Sequence, residues 1–212
     1  MQKTGLLIVF EGIDGTGKKT ECALLGKYLA SRRFQVSHFS YPDYASDYGR
    51  RIKAYLHTGK KMSGQELFLN YLVDMVKDKE KVNQDLKKGK IVLIDRYYFS
   101  TIAYQIAGSF KYEEAKLIEE VAGLPKPDLV LFFDLPVSVA MSRKRKQMQG
   151  RVDKHEKDYN LLQNTTFYYK KMINEKFRAK KWVVLDARES VEKVNKKVIS
   201  AANSLLTGAG RL

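Results

Sequence analysis

Seven residues near the start of the chain, Gly12-Ile13-Asp14-Gly15-Thr16-Gly17-Lys18, follow the spacing G-x-x-x-x-G-K. Glycines placed this way keep side chains away from an incoming phosphate, leave the loop N–H groups free to point inward, and the lysine adds a positive charge. Such a loop handles the phosphates of a nucleotide. The usual form of the motif puts a magnesium-binding hydroxyl directly after the lysine. Here that place is held by Lys19, and the hydroxyl comes one residue later on Thr20. Either Thr20 takes the part, or the metal rests on carboxylates and phosphate oxygens. One carboxylate is Asp95, which closes the apolar run IVLID, the place where a phosphate-loop enzyme presents an acid to magnesium or its water shell. Arg96 beside it is a planar fork suited to a second phosphate. Two phosphate sites facing each other imply transfer between them.

These residues act together only if the chain gathers them. Leu6 to Phe10 is an unbroken apolar run, the pattern of a strand covered on both faces. From Lys18 onward Ala23, Leu24, Tyr28 and Leu29 recur at helical spacing, so the loop empties into a helix N-terminus, where N–H groups and dipole favour an anion. Further strands are expected over 35–41 (before Pro42), 90–95, 128–134 and 182–186. Helices are expected over 47–56, 64–88 (ended by Gly89), 100–107, 112–122, 156–177 and 191–206, with Pro136 suiting the first turn of another. On the long helix Leu67, Tyr71, Leu72, Met75 and Val76 share one side. Strands alternating with helices imply an α/β fold whose parallel sheet is covered on both faces, with ligands at the carboxyl ends of the strands. The residues brought there are 12–20, 42–44, 95–97 and Asp134.

The bulk properties limit the alternatives. With 212 residues, 44% of them hydrophobic, and no proline- or serine-rich linker, one domain over 1–212 is expected. No run approaches a membrane span and the chain enters its first strand without a charged-then-apolar leader, so a soluble, cytoplasmic protein without membrane partners is expected. Cys22 is the single cysteine, reads as a small buried side chain, and rules out an internal disulfide. One cysteine and three histidines argue against zinc. His155 stands alone among charged residues with no Ser or Cys nucleophile placed to use it, which argues against a general base. The net charge of +15 raises a rival, a basic nucleotide-binding protein that uses the loop as a switch on DNA or RNA. The lysines, however, are scattered and mixed with acidic residues, as solvated faces are, so no specific nucleic acid partner is expected.

The segments FEGIDGTGKKT, YPDY, LVDM, DRYYFSTIAYQ, GLPKPDLVLFFDLP, DKHEKD and VVLDA, spread in this order over nearly the whole chain, resemble the thymidylate kinase family, within the nucleoside monophosphate kinase group of P-loop proteins. DRYYFSTIAY is the most specific of them. The resemblance implies a three-layer P-loop fold, a five-stranded parallel sheet flanked by helices with a mobile lid at about 143–158. It implies transfer of the γ-phosphoryl group of ATP to dTMP with Mg2+, giving dTDP, by a homodimer. Lys18 and the loop 12–20 would hold the ATP phosphates, and Asp14 would face the acceptor's sugar or phosphate, directly or through the metal. Arg96 would grip the acceptor phosphate near Tyr44, Tyr71 would stack on the base, Ser100 and Thr101 would face it, and Tyr104 would crowd the sugar 2′ position. Asp153 and Glu156 match acidic positions of the lid region, which they would organise, or they would touch the metal.

Arg143, Arg145 and Arg151 resemble lid arginines that close over ATP; since Gly15 fills a loop position where some family members carry an arginine, the lid is the expected source of catalytic charge. Two departures stand out, Lys19 and Met75, the latter in place of a base-contacting arginine after Asp74. Loss of that charged hydrogen bond could admit dUMP, since a site cannot strongly reject an analogue differing by one methyl. A kinase of the same fold for another monophosphate is therefore the nearer alternative.

Overall fold

A strand covered on both faces must send alternate side chains into two different cores, and the first strand does. In the computed structural model, which describes residues 5–106, 111–147, 149 and 153–212, β1 (Leu6–Glu11) is fully buried. Leu6, Ile8 and Phe10 enter one apolar cluster with the helices α1 (Lys18–Ser31) and α9 (Val191–Gly208). Leu7 and Val9 enter the other, with α3 (Gly64–Val76), α5 (Tyr98–Gln105) and α8 (Tyr159–Asn174). The layers are therefore helix, sheet, helix. All strand pairs are parallel, in the order β2-β3-β1-β4-β5, with β2 (Val36–Ser40), β3 (Ile91–Asp95), β4 (Leu129–Asp134) and β5 (Trp182–Asp186). β1 is central and β3 is its neighbour, so the glycine loop after one and Asp95-Arg96 after the other emerge side by side.

Several elements differ from expectation for reasons that lie outside the local sequence. The buried face of α1 is Lys18, Glu21, Cys22, Leu25, Gly26 and Leu29, while Ala23 is exposed and Leu24 and Tyr28 are half-buried. Gly17, at φ 90, ends the loop and caps the helix, whose buried face is the one that packs on the sheet. The helix expected over 64–88 is two, α3 and α4 (Lys79–Lys87). The break falls where Lys77 gathers three carboxylates, Asp43 at 3.2 Å, Asp74 at 3.3 Å and Asp78 at 2.6 Å, and the Tyr41 hydroxyl donates to Asp78 at 3.2 Å. These contacts turn the chain toward the loop after β2.

The remaining helices are α2 (Asp47–His57), α6 (Tyr112–Ala122) and α7 (Val137–Gln147). The charged segment 143–158 thus begins inside α7. α8 starts later than expected because Asp153 and Glu156 form their own turn. There the Asp153 N–H donates to Glu156 at 2.8 Å and the Glu156 N–H donates to Asp153 at 2.9 Å. α5 starts earlier, at Tyr98, for a reason that belongs to the site; Ala107, its expected end, lies outside the described residues.

Candidate active site

The loop 12–18 is built as the motif requires. Gly12 (φ 144) and Gly15 (φ 85) take backbone conformations that side chains resist, and a Cβ would meet the Phe133 carbonyl at 2.7 Å and the Ala140 carbonyl at 2.5 Å respectively. The second contact seats α7 directly against the loop. Thr16 donates to the Ile13 carbonyl at 2.9 Å, and the Lys18 ammonium donates to the same carbonyl at 2.8 Å. Lys18 is 5% exposed, and burial together with the Arg96 charge pushes its pKa down to about 8. A cavity of about 440 Å3 opens over this loop, lined also by Thr20, Asp95, Arg143 and Ala187.

A second cavity of about 370 Å3 lies on the other side of Arg96. Tyr44, Tyr71, Ser100, Thr101 and Tyr104 all line it, drawn from the loop after β2, from α3 and from α5. Asp14, Lys19, Asp95, Arg96 and Lys144 line both cavities. Asp14 and Arg96 pair across the junction at 2.7 Å. Burial alone would raise the Asp14 carboxyl, but the charges of Arg96 and Lys18 outweigh it and hold the group well below the usual range. Among the described residues Asp95 Oδ1 is buried without a hydrogen-bond partner, which suits an acid meant for a ligand or its metal.

Arg96 sits at φ 66, a left-handed conformation that costs a non-glycine residue on the order of 1–3 kcal/mol. The surroundings enforce it. Its N–H donates to the Phe10 carbonyl at 3.0 Å, and the next N–H, of Tyr97, donates to Glu11 Oε1 at 2.8 Å. Glu11 is wholly buried at the end of β1 and also accepts the Ser100 N–H at 3.3 Å, the Ser100 hydroxyl at 2.6 Å and the Tyr169 hydroxyl at 2.7 Å. It therefore caps α5 from a distant strand, which is why that helix starts at Tyr98. Arg96 in turn donates to Ser100 Oγ at 3.1 Å. The Ser100 hydroxyl is thus already engaged by Glu11, Tyr169 and Arg96, a frame for the guanidinium rather than a free group facing a base.

Among the lid residues, Arg143 lines the loop cavity but donates to the Ala187 carbonyl at 2.8 Å, whereas Arg145 is exposed and lines neither cavity. Arg151 lies outside the described residues. Among the described cations of this segment, the one that lines both cavities is Lys144, paired with Glu156 at 3.0 Å. Sequence reasoning missed it, although Val137 and Ala140, both buried, share its face of α7 at helical spacing. It also missed Glu11, which closes an apolar strand, and Gln105, which lines the second cavity with Met75 and whose buried Nε2 has no hydrogen-bond partner among the described residues.

His155 stacks on Tyr104 with centroids 5.7 Å apart, and burial followed by the Lys154 charge pushes its pKa down to about 4, so it is neutral at physiological pH. Asp134 pairs with Lys170 at 3.2 Å and lines neither cavity.

Comparison with known proteins meets this geometry. A thymidylate kinase family model matches residues 10–198. The chain is 29% identical over 204 residues to a thymidylate kinase of Schizosaccharomyces pombe, covering 96% of this chain and 94% of the relative. It is 33% identical over 205 residues to a probable thymidylate kinase of Archaeoglobus fulgidus, covering 95% and 96%. Among solved structures, the thymidylate kinase of Candida albicans superposes with a TM-score of 0.75 at 21% identity, over 95% of this chain and 92% of that one, a likeness of fold.

Proposed function

The chain belongs to the thymidylate kinase family, and we propose that it transfers the γ-phosphoryl group of ATP to dTMP, giving dTDP, across the junction of its two cavities. The observation that carries this reading is that junction: a phosphate loop on one side, a tyrosine-lined cavity on the other, and Asp14, Arg96 and Lys144 common to both.

The chemistry needs no catalytic base. The acceptor is a phosphate oxygen already anionic at neutral pH, so alignment, exclusion of water and positive charge over the transferring group are what the protein supplies. The amides of 12–20 and Lys18 hold the donor phosphates. Arg96, fixed by Ser100 and Glu11, takes the acceptor phosphate, with Tyr44 beside it, while Tyr71, Thr101 and Gln105 enclose the base and Tyr104 crowds the sugar 2′ position. Asp14 faces the acceptor. Arg143, Arg145 and Arg151 belong to the lid proposed at about 143–158, and Lys144 on the same segment is the cation best placed between the two phosphates.

Mg2+ bound with ATP would neutralise charge on the donor phosphates. The unpartnered Asp95 oxygen fits that ion or its water shell, with the Thr20 hydroxyl and Asp14 nearby in the same cavity. Among the described residues no three His, Cys, Asp or Glu side chains gather to hold a metal without the nucleotide.

A homodimer is part of the proposal. Leu117 and Val121, one turn apart on α6, are 62% and 81% exposed, apolar side chains of the kind that a contact between chains would cover. Among the described residues no helix is long and apolar enough to cross a membrane, and we place the enzyme in the cytoplasm as one domain. A coupled assay with ATP and magnesium tests the reaction, with dTMP, dUMP, dCMP and dGMP ranked by kcat/KM. Turnover is expected to be highest with dTMP; failure to turn over either dTMP or dUMP would end the reading.

A further inference from the structure

α3 carries a carboxylate that lines neither cavity, although its neighbours do. Asp74 is 0% exposed. Its Oδ2 accepts the Asp43 N–H at 2.7 Å and its Oδ1 accepts the Ser46 hydroxyl at 2.5 Å, while Lys77 balances it at 3.3 Å. Both donors belong to the loop between β2 and α2, whose Pro42 and Tyr44 line the acceptor cavity. Tyr71 and Met75, one turn before Asp74 and immediately after it, line the same cavity from α3. One short stretch of helix therefore holds one wall of the cavity with two side chains and ties down the facing loop with a third.

A buried carboxylate is costly unless its lone pairs are met. Here they are met almost entirely by that loop, so the cost of burying Asp74 falls on any conformation in which the loop lifts away. The Ser46 hydroxyl also accepts the Gly49 N–H at 2.8 Å, joining the loop to the first turn of α2. A Cβ on Gly49 would collide with the Asp43 carbonyl, which shows how tightly the loop folds back on that helix.

We propose that Asp74 is a positioning residue for the acceptor, acting through the 41–46 loop: it fixes the distance between Tyr44 at the phosphate end and Tyr71 at the base end, and so sets affinity for the monophosphate without touching it. The inference rests on the acceptor cavity assigned above. It predicts a separation of effects. Ground-state and transition-state binding of the acceptor weaken together, which raises KM and leaves kcat nearly alone.

The test is Asp74→Ala and Asp74→Asn, with steady-state kinetics in both substrates and calorimetric binding of dTMP and of a non-hydrolysable ATP analogue. Asp74→Ala is expected to raise KM for dTMP on the order of 10²-fold, the worth of the two hydrogen bonds by which its carboxylate holds the loop, with kcat lowered less than about threefold and ATP-analogue affinity unchanged. Asp74→Asn can still accept the Asp43 N–H and donate to Ser46, so it should recover most of the loss, to about three- to tenfold above wild type. In either background Tyr44→Ala should cost less than it does alone, because the tyrosine is already misplaced. An unchanged KM for dTMP in both variants, or equal losses in ATP-analogue and dTMP binding, overturns the inference while the kinase reading stands. Wild-type protein that binds no monophosphate overturns both. Where the alanine variant does not fold, the asparagine variant and its Tyr44 cycle decide the matter.

Discussion

Glu11→Gln is the most searching perturbation of the site, because it should lower activity and spare the fold. Four groups meet Glu11, the N–H groups of Tyr97 and Ser100 and the hydroxyls of Ser100 and Tyr169. Burial nevertheless outweighs the Ser100 and Tyr169 hydrogen bonds and pushes its pKa up. With the folded value above the unfolded one, the contribution of this group to stability is favourable only at low pH and is lost as pH rises through the folded value. Wherever the carboxylate is ionised it is a net cost to the fold. The neutral isostere removes that cost and keeps the two N–H bonds at the carbonyl oxygen.

At the other position the amide NH2 donates, so the Ser100 and Tyr169 hydroxyls turn to accept, and two bonds to a carboxylate become neutral ones, a loss of about 1 kcal/mol each. Both belong to the frame that holds Ser100 and, through it, Arg96. About 2 kcal/mol at that frame corresponds to about 30-fold in kcat/KM for dTMP, since 1.4 kcal/mol is tenfold. The measurement pairs steady-state kinetics, dTMP varied at saturating ATP, with urea denaturation at neutral pH. The expected result is a drop of this size with an unfolding midpoint equal to or above wild type. A variant within threefold of wild-type kcat/KM, or one whose midpoint falls in step with its activity, would refute the reasoning.

Three further outcomes follow from named contacts. Because burial and the Arg96 charge push Lys18 down to about 8, its cation is favoured below that pH and lost above it, so kcat/KM for ATP should be level to about pH 8 and then fall toward tenfold per unit; a flat profile to pH 9.5 would contradict the assignment. Lys144→Met should lower kcat by roughly 10²–10³-fold, the usual worth of one group on developing charge, whereas Arg145→Ala, exposed and outside both cavities, should stay within about twofold; the reverse order in a kinetic assay would return the role to the arginine. Leu117→Asp combined with Val121→Asp should give a monomer by light scattering where wild type is a dimer, and an unchanged mass would move the proposed interface elsewhere.

What the sequence made legible is what is decided within a few residues. The glycine spacing, the apolar runs of the five strands and the adjacent Asp95 and Arg96 are local, and each lies where its pattern put it. The face of α1 and the break between α3 and α4 were not legible, because neither is local. The first is set where the helix packs on the sheet. The second depends on Asp43 and Tyr41, more than thirty residues before Lys77 and Asp78.

The site divides along the same line, and the carboxylates show why. Asp95 and Glu11 both close buried strands at the same sheet edge, and nothing in either segment says which acid is meant for a ligand. The difference is made by partners. Four groups meet Glu11, whereas among the described residues Asp95 keeps an oxygen buried and unmet. Of Glu11's donors only Tyr97 and Ser100 lie near Arg96 in sequence; Tyr169 arrives from α8, 158 residues away. A short motif can therefore name the chemistry of a phosphate site, but the division between groups that touch the nucleotide and groups that hold them still is settled by side chains the motif does not contain.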